Sequence, residues 1–157
     1  MAEAAADGGG SEVSGVAWRD AAAAVLALVG LLDSLYLTAE HLSGRSVRCA
    51  VVSGCDTVLS SGYATIFGNV PLAAAGAVSY FVVFSLATLA AFGYRSVRGP
   101  LAALVALMFV FTLWLLYVQA FVLRAFCTYC LISAAVTTTL ALLVVALPLL
   151  SRRRRLA

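Results

Sequence analysis

The sequence predicts an all-α integral membrane protein, a bundle of four transmembrane helices with a long extracytoplasmic loop between helices 1 and 2. Composition is the first observation: 64% of the 157 residues are hydrophobic and 11% are charged. Soluble domains carry about a quarter charged residues, and disordered chains are far less apolar. The second observation is four continuous apolar runs, at 21–42, 70–92, 101–123 and 131–150. Each can cross about 30 Å of hydrocarbon as a helix, whereas a membrane barrel needs short alternating segments.

Three segments follow from this pattern. Residues 1–15 are small, polar and acidic, and predict a disordered cytoplasmic tail without the basic start of a cleaved signal peptide. Residues 16–150 form the four-helix transmembrane domain. Residues 151–157, which contain four consecutive arginines, form a basic cytoplasmic tail.

The arginines predict the orientation of the bundle. Seven of them lie on the side of the two termini and the short 93–99 connection, and three lie on the side of the long 43–69 loop. The positive-inside rule therefore places both termini in the cytoplasm and the long loop outside. Because the arginines sit at the ends of apolar runs and form no stripe with aromatic residues, nucleic-acid binding is not expected.

Four cysteines form two pairs, Cys49 with Cys55 in the long loop and Cys127 with Cys130 at the start of the fourth span. All four fall on the predicted extracytoplasmic side, where disulfides are permitted. Cys127 lies at a helix N-terminus, where unpaired N–H groups and the macrodipole stabilise a thiolate. Cys130 lies on the same helix face one turn deeper. This pattern favours thiols that exchange a disulfide between an aqueous partner and a group inside the membrane.

Two other interpretations of the cysteines stay open. They could be packing residues or structural disulfides in a non-catalytic membrane protein. They could also form a four-thiolate metal site, because CxxC is half of many zinc sites. The five-residue spacing between Cys49 and Cys55 and the lack of flanking histidines disfavour zinc, so no metal is expected.

A set of motifs resembles the vitamin K epoxide reductase family, especially its bacterial members. The set consists of Cys55 to Ser61 in the loop, Pro71 opening the second span, the Cys127–Cys130 pair, and the first-span segment 32–38 followed by His41. The resemblance covers residues 18–150, and two cysteine pairs in this order and topology are far more specific than a lone CxxC.

The resemblance implies a thiol–quinone oxidoreductase that supports disulfide bond formation. Cys130 would react with a quinone of the ubiquinone, menaquinone or phylloquinone type, and Cys127 would exchange with Cys55. Cys49 would meet a separate thioredoxin-like redox protein, the source of electrons, and Ser61 would lie near the quinone. The bacterial inner (plasma) membrane is the implied location.

Two departures from the vertebrate members bear on the substrate. Those members carry a tyrosine where this chain has Ala134, and an asparagine inside the second span, whereas Asn69 here precedes Pro71. A respiratory quinone is therefore expected rather than vitamin K epoxide.

Other polar and aromatic residues have two interpretations each. Asp33 lies inside the first span, where an acidic group costs about 3 kcal/mol, so it should face the bundle interior. There it either handles protons during quinone reduction or bonds a neighbouring helix. Arg124 either supports the Cys127 thiolate or extends to the interface. Trp114 and Tyr117 recur at helical spacing and either line the quinone pocket or belong to packing and an aromatic belt.

Overall fold

The computed structural model describes residues 7–43, 55–59, 61–62, 65–66 and 70–150. Within them the chain is almost entirely helical. The α-helices are α1 (Asp7–Leu42), α2 (Cys55–Leu59), α3 (Leu72–Ala91), α4 (Arg98–Tyr117) and α5 (Thr128–Ala141). Two π-helical segments, Val118–Leu123 and Leu142–Ala146, continue α4 and α5, and a 3₁₀ turn at Arg95–Val97 precedes α4.

Four helical stretches among the described residues are long and apolar enough to cross a membrane, so the chain is a multi-pass membrane protein. They are Ala17–Leu42, Leu72–Ala91, Arg95–Leu123 and Thr128–Leu150. The predicted all-α bundle of four transmembrane helices is confirmed. Large apolar side chains such as Val25, Phe81 and Leu107 are exposed on its outer surface, as they are in proteins that face lipid.

Helix α1 begins earlier than the sequence predicts. It starts at Asp7, so residues 7–15 of the predicted disordered tail are helical. Adding a residue to an existing helix avoids the cost of nucleation, so a long apolar helix extends into neighbouring polar sequence. Residues 1–6 and the basic tail at 151–157 lie outside the described residues.

A short antiparallel hairpin stands between α2 and α3. Strand β1 (Thr65–Ile66) pairs with β2 (Val70–Pro71), with Thr65 opposite Pro71 and Ile66 opposite Val70. Pro71 is also the N-cap of α3, with φ −62° and ψ 134°. The second span therefore begins at Leu72, because residues 70 and 71 are extended.

Small residues allow the helices to approach closely in the main core. Ala23 and Ala27 of α1 and Ala87 and Ala90 of α3 are buried in one cluster, and small side chains are the usual means of tight helix packing in membranes. A side chain added at Gly30 would collide with the ring of Tyr80. Helices α1 and α3 are thus packed so closely that little space remains between them.

An ion pair joins α1 to the beginning of α4. Arg98 donates a hydrogen bond from Nη2 to Oδ2 of Asp20 at 2.9 Å. Both residues lie at the end of the bundle where the first and third spans begin, away from the cysteine pair at the start of α5.

Candidate functional site

A tight turn between the third and fourth spans positions the CxxC pair. Arg124 is left-handed, with φ 48°, and the N–H groups of Arg124 and Ala125 both donate to the carbonyl oxygen of Gln119. This pattern closes the C-terminal end of a helix. The chain then reverses within four residues, and Cys127 becomes the N-cap of α5 with φ −100° and ψ 123°.

Cys127 is fully buried at this N-cap position. Its backbone N–H donates to Oε1 of Gln119 at 3.2 Å, and the N–H of Leu131 donates to its carbonyl oxygen at 3.0 Å, which starts the helix. The predicted position of Cys127 at the N-terminus of the fourth helix thus agrees with the structure.

The surroundings of Cys127 favour its thiolate. A hydrogen bond from the Cys130 thiol, assisted by the backbone N–H groups of Cys130 and Tyr129, lowers the pKa of Cys127 from 9.0 to about 7. Burial and the negative charge of Asp33 act in the opposite direction and only partly offset this effect. At neutral pH a substantial fraction of Cys127 is therefore a nucleophile.

Cys130 lies one helical turn further into the bundle and is half-buried; both thiols are free. Cys130 lines a partly open cavity of about 220 Å³, to which all four spans and α2 contribute residues. The walls are mostly apolar, and they include Leu37, Met108, Phe111, Leu115 and Leu116. The polar side chains that line the cavity are Asp33, Ser34, His41, Ser61, Ser79, Tyr80, Thr112, Gln119, Ser133 and Thr137.

The loop helix α2 covers Cys127. Val58 of α2, Leu37 of α1 and Cys127 are buried together in one cluster, with Leu59 and Cys130 packed against it. Cys55 is the first residue of α2, three positions before Val58. The side chain of Cys55 and the whole of Cys49 lie outside what the structure describes, so their predicted roles stay predictions.

Aromatic packing supports the segment between the two cysteines. The ring of Tyr129 lies 5.3 Å from that of Tyr36 in α1, with an interplanar angle of 43°. The start of α5 is therefore held against the first span on one side and against α2 on the other.

The three predicted quinone contacts occupy different environments. Ser61 lines the cavity, and its hydroxyl donates to the carbonyl oxygen of Val58 at 2.6 Å. Trp114 and Tyr117 are 45% and 57% exposed, and neither is among the residues that line the cavity. Trp114 packs behind Phe111, with ring centroids 5.4 Å apart, and Phe111 does line it. Contact of Trp114 or Tyr117 with a quinone stays a prediction.

Two residues of the site were not found by sequence reasoning. Gln119 is only 4% exposed and joins the cavity to the backbone of Cys127. Tyr80 bonds through its hydroxyl with Oγ of Ser133 at 2.8 Å and Oγ1 of Thr137 at 2.7 Å. The sequence did carry a signal for both residues, because an amide and a phenol stand inside otherwise apolar runs. Polar groups buried in a membrane need hydrogen-bond partners.

Comparison with known proteins settles the family. The model of the vitamin K epoxide reductase family matches residues 21–145. The chain belongs to the vitamin K epoxide reductase family. It is also similar to the thiol-disulfide oxidoreductase LTO1 of Arabidopsis thaliana, with 34% identity over 119 residues, which make up 70% of this chain and 31% of LTO1. The chain thus spans about a third of the length of that relative. The resemblance carried by the cysteine motifs is confirmed.

Proposed function

We propose that this protein is a membrane thiol–quinone oxidoreductase that supports disulfide bond formation. Electrons enter from a thioredoxin-like partner at Cys49, pass through Cys55 to Cys127, and leave through Cys130 to a quinone. One observation carries the proposal: adjacent turns of one helix place Cys127 under the loop helix α2 and Cys130 on an intramembrane cavity. A dithiol in this position connects the loop helix with the cavity.

The thiol steps are supported by the state of Cys127. Disulfide exchange requires a thiolate that attacks a sulfur atom, and a thiol with a pKa near the working pH is the best attacking group. The pKa of Cys127, lowered to about 7 by hydrogen bonds from Cys130 and the helix N-terminus, meets that condition. The similarity to a thiol-disulfide oxidoreductase supports the same reaction class.

The cavity has the size and character that a quinone ring requires. An apolar cavity of about 150 Å³ accommodates benzene, so one of about 220 Å³ accommodates a substituted ring. Leu37, Met108 and Phe111 would contact its faces, Ser61 would lie at its edge, and Cys130 would lie within reach of the ring. The quinone, when bound, supplies the oxidising power, and the residues around it exclude water and hold the ring near the thiol.

We further propose that the bundle lies in a bacterial plasma membrane with both termini in the cytoplasm. The arginine distribution supports this orientation. The cysteine pair at the start of α5 would then face the oxidising compartment, where a thioredoxin-like partner that has received electrons from folding proteins can reach the long loop.

The decisive experiment is reduction of a short-chain ubiquinone or menaquinone analogue by the purified protein in nanodiscs. A reduced thioredoxin-like protein supplies the electrons, and quinone absorbance reports turnover. We expect turnover with the wild-type protein and none with Cys130→Ser, while that variant keeps the circular dichroism spectrum and the thermal unfolding midpoint of the wild type. Undiminished turnover of Cys130→Ser would contradict the proposal.

A further inference from the structure

We propose that Asp33 is the proton donor of the quinone site, and that its carboxyl group hydrogen-bonds a carbonyl oxygen of the quinone ring. This inference rests on the proposed function and deepens it. Asp33 lies in the middle of the first span, lines the same cavity as Cys130, and is close enough to the cysteine pair for its charge to raise the pKa of Cys127.

An unsatisfied buried atom points to a ligand. Oδ2 of Asp33 is inaccessible to solvent, and no hydrogen-bond partner for it exists among the described residues. Burying such a group without a partner costs about 1–3 kcal/mol, so buried polar atoms are nearly always paired. A structural hydrogen bond to a neighbouring helix, the other interpretation of Asp33, does not account for this oxygen. A ligand in the cavity that Asp33 lines can supply the partner once the carboxyl group turns about its soft χ2 torsion.

Most other polar groups of the cavity already have partners. The hydroxyl of Ser79 donates to Ala75, and that of Ser61 donates to Val58. Tyr80 is bonded with Ser133 and Thr137, and Oε1 of Gln119 accepts the N–H of Cys127. Among the described residues that line the cavity, Asp33 is the one with a fully buried side-chain oxygen left unpaired.

The identity of the missing partner follows from the chemistry of a carboxyl group in an apolar site. In its acid form Asp33 donates its proton, and the ligand must present an acceptor oxygen. A quinone ring carries two carbonyl oxygens and no acidic proton, so it complements this donor. A thiol, an alkane or a lipid tail has no carbonyl oxygen to accept the proton of Asp33.

The proton balance of the reaction requires no further reagent. As Cys127 and Cys130 form a disulfide, the dithiol loses two electrons and two protons, and the quinone gains both pairs to become a quinol. Asp33 gives its proton to the carbonyl oxygen as negative charge develops there, and it takes back a proton released from the dithiol. His41, Tyr80 and Cys130 are the other titratable residues that line the cavity.

Two substitutions separate hydrogen bonding from proton transfer. The amide of Asp33→Asn still donates a hydrogen bond to a carbonyl oxygen but does not give up a proton. We expect KM for the short-chain quinone to stay within about twofold, and kcat to fall about 100-fold, the usual contribution of a general acid. Asp33→Leu loses both functions, so kcat should fall equally and KM should rise about fivefold, the effect of one hydrogen bond.

Glu40→Gln is the matched control, because Glu40 is an acidic residue of the same helix that does not line the cavity; its kinetics should equal those of the wild type. A thermal unfolding midpoint in detergent close to that of the wild type shows that each variant is folded. Full kcat in Asp33→Asn, with the wild-type protein active, would overturn the assignment of Asp33 and leave the proposed function intact. An inactive wild-type protein would instead remove the proposed function itself.

Discussion

The side chain of Gln119 accepts a hydrogen bond from the backbone N–H of Cys127, with 3.2 Å between Oε1 and N. The same residue accepts, through its backbone carbonyl, the N–H groups that close the turn at Arg124 and Ala125. One residue therefore holds both sides of the chain reversal that positions Cys127. Because Gln119 also lines the cavity, it is in physical contact with both ends of the proposed reaction.

We expect Gln119→Leu to destabilise the protein. The substitution keeps the apolar volume but leaves the buried N–H of Cys127 without an acceptor, which costs about 1–3 kcal/mol of unfolding free energy. Thermal unfolding in detergent, followed by circular dichroism, measures the change. Gln119→Glu retains an acceptor oxygen at the same place and should lose less. Equal melting temperatures for the wild type and Gln119→Leu would show that the hydrogen bond does not hold the turn.

The reactivity of Cys127 should depend on pH around neutrality. Its pKa of about 7 is set chiefly by the hydrogen bond from Cys130, so the thiolate predominates above pH 7 and is lost as the pH falls below it. The rate of alkylation of the reduced protein, with Cys127 identified by mass spectrometry, should therefore rise through a midpoint near 7. In Cys130→Ala the principal hydrogen bond is gone, and the midpoint should move upward. The same midpoint in both proteins would exclude Cys130 as the cause.

The sequence identified the spans and the position of the cysteines because both depend on local properties. Continuous apolar length defines a membrane helix, and Cys127 could be placed at a helix start because the apolar run begins just beyond it. The hydrogen-bond partners of Gln119 and Tyr80 could not be predicted from local properties of the sequence. The Gln119 bond exists only because Arg124 adopts a left-handed conformation, and Tyr80 meets Ser133 across two helices.

Helical spacing alone does not identify the face that lines a cavity when every face of a helix is apolar. Trp114 and Tyr117 share a face of α4, but in a membrane the lipid-facing side is as hydrophobic as the interior, so spacing does not tell which of them lines a cavity. The residues of α4 that do line it include Met108, Phe111 and Leu115, and their sequence character is no different.

The close approach of Gly30 to Tyr80 predicts that a single methyl group added at position 30 destabilises the protein. Gly30→Ala places a Cβ against the Tyr80 ring, and overpacking of this kind costs about 1–3 kcal/mol. Thermal unfolding in detergent should show a lower melting temperature. Gly99→Ala is the control, since a Cβ at Gly99 meets no atom within 4 Å. Equal stability of Gly30→Ala and Gly99→Ala would mean that α1 and α3 separate easily at this point.

The proposed orientation can be tested by labelling single introduced cysteines in a background without the native four. A cysteine at Ser96, in the short connection before α4, should react with a membrane-impermeant maleimide only after the cell interior is made accessible. One at Arg45, in the long loop, should react in intact cells. The opposite pattern would reverse the orientation and, with it, the compartment in which the CxxC pair acts.

Trapped disulfides test the proposed electron transfer from the loop cysteines to Cys127. They distinguish two cysteine pairs that exchange disulfides from two unrelated pairs. Helix α2 begins at Cys55 and covers Cys127 through Val58, so this short helix lies against the start of α5. A disulfide needs Cα atoms within about 7 Å, so the first turn of α2 has to approach the start of α5 this closely. In Cys130→Ser, Cys127 has no resolving thiol, and a Cys55–Cys127 disulfide should accumulate. Proteolysis within residues 72–123 and non-reducing mass spectrometry would detect it as two linked fragments.

A second variant tests the proposed step between the thioredoxin-like partner and the loop cysteines. In Cys55→Ser the loop lacks the thiol that resolves an encounter with the partner, so a mixed disulfide between Cys49 and the thioredoxin-like protein should accumulate instead. Cys127→Ser is the control for both experiments: it cannot form the loop-to-helix bridge, but it leaves the Cys49–Cys55 pair intact. If Cys130→Ser yields only a Cys49–Cys55 disulfide with Cys127 free, the two pairs do not communicate. Cys127 would then have to receive its electrons from the partner directly, although α2 and Leu37 bury it completely.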